Sequence, residues 1–149
     1  MWESVQAHFS NPQHSGGPIL HYPEDCEVGR LRFESILARL VARAGARWAM
    51  IVGNDGVVLE TDSRSFRAEA EGLAAEYAAF CRASLKVTID TDMGGLHSSL
   101  LVTDHGKILL QTLTPDYFLV MLLQPGAYHG KACFEMSRVA EPLEHELMV

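Results

Sequence analysis

Every position from Tyr117 to Leu123 is apolar. A strand that alternates apolar and polar residues has one wet face, whereas a run without alternation has both faces covered. Tyr117–Leu123 is therefore expected to lie centrally in a sheet with helices on both sides. Two more strand-like runs, the first being Leu96–Thr103, flank Asp104-His105-Gly106-Lys107, which predicts a hairpin. An earlier hairpin is expected where Ala46–Val52 meets the turn Gly53-Asn54-Asp55-Gly56 and Val57–Thr61 runs back. That return strand sets Val57, Leu59 and Thr61 against Val58, Glu60 and Asp62, the pattern of an edge with one wet face.

Three segments have helical spacing. Val28–Ala44 places Phe33, Ile36, Leu37, Leu40, Val41 and Ala44 on one face, with Arg30, Arg32, Arg39 and Arg43 mostly off it. Ser65 to about Leu85 carries a stripe of Ala70, Leu73, Ala74, Tyr77, Ala78 and Cys81, and Lys86–Ile89 either continues it or forms a short extension. Gly72 inside this helix costs about 1 kcal/mol relative to Ala, which close approach of a neighbouring backbone would explain. The third helix starts near His129 and aligns Ala132, Met136, Val139, Ala140, Leu143 and Leu147. Pro142 lacks an N–H and clashes with the carbonyl of Arg138, so a kink or restart is expected there. Glu135, Glu141, Glu144 and Glu146 face only Arg138, and carboxylates near a helix C-terminus oppose its dipole, so the last turn is expected to fray.

The expected order is α-β-β-α-β-β-β-α: an α/β (α+β) domain with a five-stranded, mostly antiparallel sheet between helices. It occupies residues 27–149. Residues 1–26, rich in Pro, Gly, His, Gln and Ser, read as a flexible N-terminal arm.

Composition changes this picture little. At 149 residues one domain is the default. A net charge of −7 favours solubility and argues against a nucleic-acid surface. No apolar run approaches the ~18 residues needed for membrane insertion, and the N-terminus lacks the pattern of a secretory signal. Cys26, Cys81 and Cys133, an odd number at wide and irregular spacing, do not make a disulfide framework. Cys81 and Cys133 fall in helical patterns and read as buried thiols, consistent with a reducing compartment, so a cytoplasmic location is expected.

Candidate chemistry is thin. Gly126-Ala127-Tyr128-His129-Gly130-Lys131-Ala132 follows a strand and opens a helix, but it is one residue short of a phosphate loop, and Ala132 replaces the magnesium-binding hydroxyl. A strand-to-helix turn that needs Gly for its backbone explains it better. The seven histidines show no zinc-ligand spacing. His97 and Ser99 share a strand face without a nucleophile elbow, and Asp90 and Asp92 read as a polar loop. No catalytic, cofactor-binding or metal-binding residue is predicted, and the chain reads as non-enzymatic. Leu96–Thr103, by contrast, would be a long edge carrying Leu100, Leu101 and Val102, and such an edge tends to pair with another chain.

Several stretches together resemble the roadblock / dynein light-chain family, over roughly residues 28 to 145. They are Gly45-Ala46 leading into Trp48–Val52, Asn54–Leu59, the alanine-rich Ala70–Ala78, Leu109-Leu110, Tyr117–Leu122, and Gly130 at the start of the last helix. The resemblance implies a homodimer in which second helices pack together and the edge strand of the three-strand unit pairs across a two-fold axis. It implies an interface of Ala70, Leu73, Ala74, Tyr77 and Cys81 on the helix with His97, Ser98, Ser99, Leu100, Leu101 and Val102 on the strand. It further implies a small Ras-like GTPase as partner, whose nucleotide cycle the dimer would modulate. A small-ligand sensor of PAS- or profilin-like architecture is the alternative; it would need a roomy pocket between sheet and helix.

Overall fold

The computed structural model describes residues 26–148, with side chains from residue 32 onward. The expected N-terminal arm therefore lies outside the described residues, apart from Cys26. The chain runs α1 (Cys26–Ala44), β1 (Ala46–Gly53), β2 (Val58–Thr61), a 3-10 turn (Arg64–Phe66) and α2 (Arg67–Asp90). It continues with β3 (Ser98–Thr103), β4 (Gly106–Thr112), β5 (Tyr117–Leu123) and α3 (His129–Leu147). The strands form one antiparallel sheet in the order β2-β1-β5-β4-β3.

The uninterrupted apolar strand β5 is the middle one. Met121 lies between Ala49 and Leu109, and Val120 between Met50 and Leu110. Its odd-numbered residues Leu119, Met121 and Leu123 pack under α1 and α3 with Leu37, Leu40, Met136 and Leu143. Phe118 and Val120 face the other way, toward α2, with Trp48, Met50, Val52, Phe66, Ala70, Ala74 and Ala78. Burying two apolar faces at ~25 cal/mol per Å² is the main favourable term holding the layers together.

Four local expectations are corrected. Glu60 is buried, so β2 has no simple wet face. Its Oε1 accepts from the Thr61 N–H (3.0 Å) and pairs with Arg67 Nη1 at 3.4 Å. Arg67 also donates to the carbonyls of Leu59 (3.3 Å) and Val58 (3.2 Å), so the first turn of α2 clamps this strand. Gly72 has open space where a Cβ would be, so close backbone approach is not why it is there. Gly72→Ala should raise the melting temperature by about 2–4 °C, the effect of removing a flexible residue from an exposed helix interior.

Helix α3 passes through Pro142 without interruption. Ala140 and Leu143 on either side of Pro142 are buried in the core, and that packing outweighs the lost hydrogen bond to Arg138. The last turn does not fray either. Leu147 packs against the core, and Glu146 Oε1 lies 3.4 Å from Arg32 Nε of α1, so Arg138 is not the only cation these acids meet. Glu144 does feel the crowding: burial, followed by the charge of Glu141, raises its carboxyl pKa.

Candidate interaction surface

The two faces of the sheet are covered unequally. Helices α1 and α3 share one face. On the other, α2 packs on β2 and β1. The β4–β3 end of that face keeps Leu101 and Ile108 half-exposed, with Leu122 of β5 beside them. The flank of α2 toward this open region carries Leu73, Tyr77, Phe80 and Cys81, all half-buried. Beyond the sheet α2 continues with Leu85, Val87 (61% exposed) and Ile89, followed by Met93 (77% exposed).

At the end of the sheet, β3 pairs among the described residues with β4 on one side only. Its free edge presents backbone donors and acceptors that another strand can satisfy. Leu100 (37% exposed) and Val102 (68% exposed) point to the α1/α3 side, while Ser99 and Leu101 point to the α2 side. His97 lies in the loop just before the strand, where its carbonyl accepts from the Thr112 N–H at 2.9 Å. Ser98, Ser99, Leu100, Leu101 and Val102 are all within β3.

The α2 residues expected to meet a partner divide. Ala70 and Ala74 are fully buried against this chain's own sheet and leave no surface for a second chain. Leu73, Tyr77 and Cys81 stand at the rim, with Tyr77 edge-on to Trp48 at 6.1 Å. The outward face of α2 is a second small-residue stripe, Ala68, Gly72, Ala75, Ala79 and Ala83, exposed throughout. Its spacing of three and four residues is as regular in the sequence as that of the buried Ala70, Ala74 and Ala78.

Neither thiol is poised for chemistry. Cys81 and Cys133 are free, and burial pushes each up to about 11. Gly126 and Gly130 have neither left-handed backbone nor a neighbour within reach of a Cβ, so that turn requires no glycine, and Lys131 is exposed. No group of three or more potential metal-ligating side chains occurs among the described residues, and no described helix is long and apolar enough to cross a membrane.

A five-stranded antiparallel sheet with two helices on one face and one on the other defines a profilin-like α/β sandwich. The solved structure of profilin II from Acanthamoeba castellanii shares it, with a TM-score of 0.54 at 18% identity, covering 74% of this chain and 94% of that one. The family is closer still: the sequence profile of the Roadblock/LC7 domain matches residues 32–123, and the chain belongs to that family. The matched segment ends with β5, so α3 lies beyond it. A Roadblock/LC7 domain from Streptomyces avermitilis superposes with a TM-score of 0.72 at 19% identity, covering 78% of this chain and 98% of that one. MglB from Myxococcus xanthus superposes with a TM-score of 0.73 at 12% identity, covering 78% and 95%. These likenesses are to the fold. No curated protein matches the sequence significantly.

Proposed function

We propose that the chain is a non-enzymatic regulatory or scaffold subunit that forms a homodimer through β3 and α2 and binds a small Ras-like GTPase, modulating its nucleotide cycle. The observation that carries this reading is the open end of the sheet: an unpaired edge strand beside a half-face without its own helix. Antiparallel pairing of two β3 edges about a two-fold axis would make a continuous ten-stranded sheet. It would also bring each α2 beside the other, so that Leu73, Tyr77 and Cys81 close over the exposed floor at Leu101 and Ile108. The Roadblock/LC7 membership and the fold shared with MglB support the GTPase partner. Chemistry would then reside in the GTPase, where positioning and charge stabilisation drive phosphoryl transfer.

The sensor alternative needs room between sheet and helix. That space is filled by Met50, Leu119, Val120 and Met121, each fully buried.

Light scattering should give twice the 16.4 kDa chain mass for the wild type and a single chain for Leu100→Arg, which places charge beside the pairing edge. Leu100 is partly exposed, so the variant should remain folded, losing about 1 kcal/mol or less within one chain. The dimer should form a complex with a purified Ras-like GTPase from the same genome and change its nucleotide exchange or hydrolysis rate, and Leu100→Arg should do neither. A monomeric wild type would remove the interface; a dimer that leaves every such GTPase unbound would remove the partner.

A further inference from the structure

The cationic groove between α1 and α3 plays no part in the reading above. It has a volume of about 340 Å³ and lies on the two helices that cover the sheet face opposite α2. Arg32, Arg39 and Arg43 line it from α1 and Arg138 from α3. The α1 arginines are spaced seven and four residues apart, so they follow one side of the helix for about 16 Å. Four of the chain's 12 basic residues are thus gathered in one groove of a protein whose net charge is −7.

Those charges are only half answered. Arg32 pairs with Glu146 at 3.4 Å. Arg138 lies 3.6 Å from Glu135 and stacks over the Phe134 ring at 5.8 Å. Arg39 and Arg43 are exposed and form no ion pair among the described residues. Between the walls lie the half-buried Ile36 and Val139 and the fully covered Leu40; Ser35 and the Glu135 carboxylate, which is answered by Arg138, complete the lining with Pro142.

We propose that this groove docks an acidic peptide segment of a partner protein. Its carboxylates would meet the guanidinium groups of Arg39 and Arg43, and an apolar side chain would rest on Ile36 and Val139. A guanidinium presents paired donors that match a carboxylate. The arginines are strung along the helix instead of converging on one point, which suits carboxylates spaced along a chain better than one compact anion. The site is on the sheet face opposite α2 and stands without the dimer or the GTPase. A partner held here leaves that second surface open.

The test is fluorescence anisotropy on the full chain, with a fluorescein-labelled amphipathic peptide bearing glutamates on one face and leucines on the other. The wild type should bind it, and a twin peptide with Gln for every Glu should bind roughly tenfold more weakly. Arg39→Glu/Arg43→Glu should lose a similar factor while keeping its circular dichroism, because both side chains are exposed. Arg64→Glu, an exposed site in the 3-10 turn before α2, should bind like the wild type. Failure of the wild type to bind would overturn the proposal. So would equal binding of the Gln twin, an unchanged double variant, or an equal loss in Arg64→Glu. Displacement of the peptide by inorganic phosphate, but not by chloride at the same ionic strength, would make the groove a compact-anion site. A drop in oligomer mass confined to the double variant would assign it to a second copy of this chain. Either result would overturn the peptide assignment.

Discussion

Gly106→Val should destabilise the domain by about 3 kcal/mol, seen as a lower urea midpoint with little change in slope. Gly106 opens β4, paired with Thr103 across the Asp104-His105 turn. A Cβ at this position would lie 2.7 Å from the carbonyl oxygen of Leu123 and 3.3 Å from Cδ1 of Leu122. The first of these atoms belongs to the central strand and cannot move without shifting β5 against β1 and β4. The φ of 157° adds a conformation that side-chain-bearing residues rarely adopt. A β-branched residue cannot relieve the contact by changing rotamer, because the offending atom is Cβ itself. Gly126→Val is the control: a Cβ there meets nothing within 4 Å, and its φ is not positive. Its unfolding free energy should stay within about 0.5 kcal/mol of wild type. If Gly106→Val were equally neutral, the approach of β4 to the end of β5 would be looser than described.

Gly106 also marks the boundary of what sequence pattern reveals. The pattern places a glycine at a hairpin, and the hairpin is there. What requires the glycine is a carbonyl 17 residues away, and no local rule contains that distance. The same division holds elsewhere. The absence of alternation in Tyr117–Leu123 placed β5 in the middle of the sheet because two-sided burial leaves a direct compositional mark. Glu60 could not be read this way. An alternating strand with a carboxylate looks wet until Arg67, from the next helix, folds over it. Pro142 likewise follows local chemistry only until the burial of Leu143 is set against it.

In α2 the limit is different in kind. Periodicity identifies residues that share a helical face, but not what covers that face. Ala70, Ala74 and Ala78 are as regular as Ala68, Gly72, Ala75, Ala79 and Ala83. Only the docking of α2 on β2 and β1 shows that the first set is core and the second faces outward. The rim residues Leu73, Tyr77 and Cys81 belong to both descriptions, being half-buried in the chain and half available beside the open end of the sheet.

Trp48→Ala should cost about 3–5 kcal/mol, a large share of the stability of a domain this size, and the loss should fall unevenly on the two layers. Trp48 is 7% exposed on the α2 side of β1. Its ring stacks on Phe66 at 4.7 Å with an interplanar angle of 19°, and meets Tyr77 edge-on at 6.1 Å. Phe66 directly precedes α2 and Tyr77 lies within it, so one tryptophan holds two points along the helix. Each aromatic pair contributes about 0.5–1.5 kcal/mol beyond its buried area, so Trp48→Phe should recover a substantial part of the loss. The opposite face, with α1 and α3 over Ile51, Leu119 and Met121, keeps all its contacts in either variant. Amide hydrogen exchange should therefore accelerate more in α2 than in α1 or α3. If all three helices lost protection alike, the two layers would be opening as a single unit. The consequence for the proposed function is direct. A loosened α2 no longer fixes Leu73, Tyr77 and Cys81 beside Leu101 and Ile108, so a dimer built there should dissociate at concentrations where Trp48→Phe remains paired. A Trp48→Ala variant with a loosened α2 and an unchanged dimer mass would leave β3 pairing alone to hold the two chains together.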